Sequence, residues 1–114
     1  MTLSDHQFEF LKDVAVLIDY IANVKKYKVT GDMLYRPQEV QQMYFDQGLS
    51  KTLRSNHGVK CAIDLNIFID KLPCYDKDKL TEIGVFWEGL NKLNRWGGFF
   101  KSFTDTPHFE RNIV

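Results

Sequence analysis

Apolar residues recur at helical spacing near the start of the chain, at Leu11, Val14, Ala15, Ile18, Ile21 and Ala22. That stripe predicts an amphipathic helix over residues 4–26. Ser4, followed three residues later by Gln7, fits a capping box at its start. Val29 and Thr30 suggest a short strand within Tyr27–Leu34, interrupted by the turn signal Gly31-Asp32. Pro37 suits the first turn of a second helix that runs to about Gln47 and is stopped by Gly48. A polar loop, Gly48 to Gly58, follows.

The clearest strand pattern runs from Val59 to Asp70. Ile63, Leu65 and Ile67 fall on one face, while Lys60, Ala62, Asp64 and Asn66 fall on the other. Leu80, Ile83, Phe86, Trp87, Leu90 and Leu93 then define a core-facing helix from about Asp78 to Asn94. Trp96-Gly97-Gly98 breaks it, and Phe99–Phe103 and Thr106–Glu110 read as two closing strands. In the second of these, His108 and Glu110 share a face and Phe109 takes the other. The fold class expected is α+β: one small domain over residues 1–114, with a short antiparallel sheet flanked by helices and a site on one sheet face.

Composition narrows the function classes. A chain of 114 residues has room for one core, and 44% hydrophobic residues with many aromatics mark it as folded. The formal net charge of zero gives no global field toward nucleic acid or anionic lipid, so neither is an expected partner. No apolar run approaches the ~20 residues of a membrane span, and the N-terminus lacks a basic-then-apolar signal. Synthesis in the cytoplasm without an export signal is therefore expected. Cys61 and Cys74 do not make a disulfide framework, and two free thiols are expected. Cys61, opposite in parity to Asp64, reads as a small buried apolar residue.

Candidate chemistry lies in Ser55-Asn56-His57, Asp64 and Asp105-Thr106-Pro107-His108. Two imidazoles, a carboxylate and a spare carboxylate are the inventory of a catalytic zinc site: three protein ligands, an open position and a nearby base. Taken singly, these residues also fit a blander reading, with His57 and His108 hydrogen-bonded and Asp64 a solvated strand residue. His6, in the first turn of the first helix, is assigned no role.

The set as a whole resembles a known family. Ser55, His57, Ala62 and Asp64 meet the pattern S-x-H-x-x-G-x-A-x-D. Arg36, Gln41, Gly48, Ser50 and Lys51 meet R-x-x-x-x-Q and G-x-S-K. Trp96-Gly97-Gly98 and Asp105, His108, Phe109 and Glu110 meet W-G-G and D-x-x-H-F-E. These blocks resemble the zinc peptidases of bacterial cell walls, the D-alanyl-D-alanine carboxypeptidase and L-alanyl-D-glutamate endopeptidase group, and within it the short phage endolysins. Lys60 stands where the broader family has Gly.

The resemblance implies Zn²⁺ held by His57, Asp64 and His108, with Asp105 as general base and Arg36 as oxyanion or substrate cation. Glu110 is expected either to orient a ligand histidine or to pair with a surface cation. Ser55, Gln41, Lys60 and Trp96 are the expected substrate contacts; strand parity would aim Lys60 at the cleft, and Trp96 reads equally as groove wall or core. The implied activity is hydrolysis of the peptide part of peptidoglycan, as an L-alanyl-D-glutamate endopeptidase of a phage lysis system. Such an enzyme would work as a monomer on the stem peptide, reaching the wall with the help of a separate membrane-permeabilising protein. The alternatives are a D-Ala-D-Ala carboxypeptidase and a non-catalytic binding module on the same zinc scaffold, as in Hedgehog signalling domains. Retention of Asp105 argues against the binding module.

Overall fold

The computed structural model describes residues 1–114. Helix α1 (Leu3–Asp19) continues into a π-helical turn (Tyr20–Val24), and strand β1 (Lys28–Gly31) and helix α2 (Gln38–Asp46) follow. A 3₁₀ turn (Asn56–Val59) leads into β2 (Ala62–Ile69), β3 (Leu72–Cys74) and α3 (Lys77–Leu90). The chain closes with β4 (Asn94–Trp96), a 3₁₀ turn (Gly97–Phe99) and β5 (His108–Arg111). The sheet order is β1-β2-β5-β4, with β3 also paired to β2, and every pairing is antiparallel. This is the α+β architecture expected. No helix is long and apolar enough to cross a membrane.

One sheet face is packed and the other is chemical. Leu65 and Ile67 of β2, Trp96 of β4 and Phe109 of β5 meet Phe10, Val14, Leu17 and Ile21 of the first helix and Leu80, Ile83 and Trp87 of α3. Trp87 takes Phe10 and Phe109 edge-on, at centroid distances of 5.8 and 6.0 Å. Its Nε1–H donates to the backbone carbonyls of Arg95 and Glu110, tying α3 to β4 and β5. Such a buried donor needs a partner, and here the sheet supplies it.

Several sequence expectations shift. The first helix starts earlier, capped by Thr2 in a reciprocal box with Asp5 and not by Ser4 with Gln7; the Gln7 amide instead donates to the Val59 carbonyl. Its buried stripe is Phe10, Val14, Leu17 and Ile21, while Leu11, Ala15 and Ile18 are exposed. Two adjacent apolar stripes compete on this helix, and the one carrying Phe10 wins by filling the space against Trp87. Asp70 and Lys71, both at positive φ, make a tight turn that lets Leu72–Cys74 pair back on β2 as a short strand. Phe99–Phe103 is not a strand. On the side away from β2, β5 pairs with Asn94–Trp96, because α3 ends at Leu90 and frees that segment. Gly48, at φ 74°, stops α2 as expected.

Candidate functional site

Sheet register brings the candidate ligands together. Asp64 on β2 stands directly opposite His108 on β5, and Ala62 stands opposite Glu110. Their side chains therefore share the face turned away from the core. His57 arrives from the adjoining 3₁₀ turn. Ser55 caps that turn by accepting the His57 backbone N–H at 3.1 Å, and Lys60 ends it in the left-handed conformation, φ 59°.

His57, Asp64 and His108 form the one cluster of side chains able to hold a metal ion, their candidate ligand atoms all lying within 4.8 Å of one another. Asp64 Oδ1 is 3.4 Å from His57 Nε2 and 3.6 Å from His108 Nδ1. Ligands at about 2.0–2.1 Å from a tetrahedral zinc lie about 3.3 Å apart, so these two spacings suit the ion. The outer ring atoms are already engaged. His57 Nδ1 donates to the Leu34 carbonyl at 2.9 Å, and His108 Nε2 pairs with Glu110 Oε1 at 2.7 Å. His57 Nε2 is buried without a hydrogen-bond partner, the condition of a lone pair kept for a metal.

The charges agree with that arrangement. Burial raises the Asp64 carboxyl, but the His108 and His57 rings beside it outweigh that and hold the group well below the usual carboxylate range. Burial lowers His108, yet the Asp64 carboxylate beside it and its bond to Glu110 push it up to about 9. Without a cation between them, the imidazole supplies the positive charge these carboxylates need. Asp105 is raised: burial dominates, His108 opposes it, and the Asp64 charge adds to it.

Asp105 reaches to 4.0 Å from His108 Nδ1. Its position depends on Gly97, whose carbonyl accepts the Asp105 N–H and where an added Cβ would collide with the Asp105 carbonyl. Arg36 lies on the other side, with Nη2 3.9 Å from Asp64 Oδ2. Its Nη1 donates to Gln41 Oε1 at 2.9 Å, and its guanidinium stacks 4.6 Å from the Tyr44 ring centroid. Arg36, Ser55, Asp105 and His108 all line a groove of about 760 Å³.

Three expected substrate contacts are placed otherwise. Gln41 is buried, bracing Arg36 and donating to Ser50 Oγ and the Thr52 carbonyl. Trp96 belongs to the core: its ring is wedged where a Cβ on Gly84 or Gly98 would strike it, and its Nε1–H donates to the Thr106 carbonyl. Lys60 precedes the strand, so strand parity does not govern it; its ammonium sits 5.5 Å over the Tyr35 ring, and it is absent from the groove lining. Both cysteines are free thiols, and Cys61 is buried as expected. Sequence reading missed Arg95, which binds Glu110 across the sheet. A strand at 94–96 would have signalled it, since Arg95 alternates there with buried Asn94 and Trp96.

Comparison with known proteins agrees with this geometry. A family model described as D-alanyl-D-alanine carboxypeptidase matches residues 48–111. Among solved structures, the L-Ala D-Glu endopeptidase of Serratia marcescens superposes with a TM-score of 0.73 at 21% identity, over 90% of this chain and 77% of that one. That likeness establishes the fold. No curated protein sequence matches. The family match spans just over half of the chain and takes in the paired ligands of β2 and β5. By that match, the chain belongs to the D-alanyl-D-alanine carboxypeptidase family of peptidases.

Proposed function

We propose that the protein is a zinc peptidase that cuts the stem peptide of peptidoglycan between L-Ala and D-Glu. The observation that carries this reading is the orphaned His57 Nε2, buried beside Asp64 and facing the same carboxylate as His108 Nδ1. Zinc held by His57, Asp64 and His108 would supply Lewis acidity and lower the pKa of water toward about 7.

The chain's own residues do the rest. Asp105, raised by burial, is a base poised closer to neutrality than an exposed carboxylate. It takes a proton from the attacking water and returns it to the leaving amine. Arg36, fixed by Gln41 and Tyr44, offers a preorganised cation to the oxyanion that forms at the scissile carbonyl. Ser55 and the exposed cations Lys51, Arg54 and Lys101 line the groove and suit a substrate bearing carboxylates.

The likeness of the fold to an L-Ala D-Glu endopeptidase supports an internal cut over release of D-Ala. Similarity of the motifs to phage endolysins supports a lysis role, with a separate membrane-permeabilising protein giving access to the wall and a monomer as the working form. Zinc-loaded protein incubated with purified peptidoglycan, with fragments read by mass spectrometry, tests the reading. Fragments with a new D-Glu N-terminus, abolished by a chelator, are expected. Release of D-Ala alone would make it a carboxypeptidase, and no release would leave only the binding module.

A further inference from the structure

The two ligand histidines are held by different means. His57 Nδ1 donates to a backbone carbonyl, that of Leu34, whose position the fold fixes. His108 Nε2 instead meets the Glu110 side chain, which could swing about its own bonds. Something must hold that carboxylate. Arg95 stands directly opposite Glu110 on β4, and its Nε and Nη2 reach Glu110 Oε2 at 2.8 and 2.6 Å. The fork occupies one oxygen and leaves Oε1 for His108. Phe100 restrains the arrangement from outside, its ring centroid 5.3 Å from the Arg95 guanidinium carbon and 5.5 Å from the His108 ring centroid.

We propose that Arg95 is a positioning residue for the metal centre: by clamping Glu110 it keeps His108 oriented with Nε2–H outward and the Nδ1 lone pair toward Asp64. The inference rests on the zinc reading above. An acceptor fixed at Nε2 dictates which ring nitrogen carries the hydrogen, and only the other can serve a metal. Ala62, the small residue opposite Glu110 on β2, leaves room for the carboxylate in this row of the sheet. Arg95 is half exposed, so its loss removes little packing.

Zinc dissociation constants, measured by competition with a chromophoric chelator, test the proposal in wild type, Arg95→Ala, Arg95→Lys, Glu110→Gln and the Arg95→Ala/Glu110→Gln pair. Arg95→Ala is expected to weaken zinc binding about 10-fold, the low end for partners outside the ligand set. Arg95→Lys should recover most of that loss, and adding Arg95→Ala to Glu110→Gln should cost nothing further. In the zinc-loaded protein, the His108 Nε2–H should also exchange with water faster in Arg95→Ala, an effect that a plain surface ion pair would not produce. Wild-type affinity in Arg95→Ala, or an equal loss in both backgrounds, overturns the Arg95 role while leaving the zinc reading intact. Absence of zinc binding in the wild type overturns both.

Discussion

The two sides of the candidate metal centre differ in what holds them. On the His57 side, the ring itself is fixed by a backbone group, the Leu34 carbonyl, on a 3₁₀ turn capped by Ser55. On the His108 side, a strand supplies the residue but side chains set its orientation, through Glu110 and then Arg95. The first side changes only if the local fold changes. The second can be tuned by single substitutions that leave the fold standing, and it is also the side that carries Asp105.

The largest effect expected on this contrast is loss of the metal itself. His57→Ala should abolish stoichiometric zinc binding, read by metal analysis of the purified protein; undiminished zinc would remove His57 from the site. Asp105→Asn should leave zinc and fold in place and cut hydrolysis at least ~100-fold, since an amide cannot take the proton. Turnover at the wild-type rate in that variant would assign the base elsewhere. Gly97→Ala should disturb the Asp105 turn from beneath and destabilise the fold by about 1–3 kcal/mol, as overpacking does. Denaturant unfolding measures this, and an unchanged midpoint would show that the turn relaxes freely.

A pH effect sharpens the contrast. Because the folded His108 is raised from 6.5 to about 9 in the metal-free protein, its protonation contributes stability fully below pH 6.5. That contribution is lost as pH climbs through about 9. Zinc needs Nδ1 unprotonated, so the gain in melting temperature on adding zinc should grow over the same window. A gain that is flat across it would contradict the assignment of Nδ1. The smallest effect expected is at Lys60, outside the groove and at φ 59°. Lys60→Gly relieves a left-handed residue and should leave the Michaelis constant unchanged while altering stability by no more than about 1 kcal/mol. A raised Michaelis constant would return Lys60 to the substrate groove.

What was legible in the sequence follows from what is periodic. The alternation in β2 sorted Asp64 from Leu65 and Ile67 correctly, and the alternation at 108–110 put Glu110 with His108. The clustering of the candidate ligands was legible because they sit on those strands or in a motif beside them. The burial of Gln41 was not legible, and Trp96 read equally as groove wall or core, for a common reason: sequence gives their position along the chain but not which neighbours enclose them. Gly84, remote in sequence, decides the place of Trp96. Lys60 was misjudged because a 3₁₀ turn interrupts the strand pattern just before it, and parity holds only within a strand. Arg95 stayed hidden behind a helix expected to run too far, past Asn91, where the structure has already ended α3.

An open zinc centre with three protein ligands has a distinctive signature in X-ray absorption at the zinc edge of the loaded protein. The expected coordination is two imidazole nitrogens, one carboxylate oxygen and one exchangeable oxygen, with no sulfur. A scatterer at about 2.3 Å, the length of a zinc–thiolate bond, or a shell closed by four protein groups would contradict it.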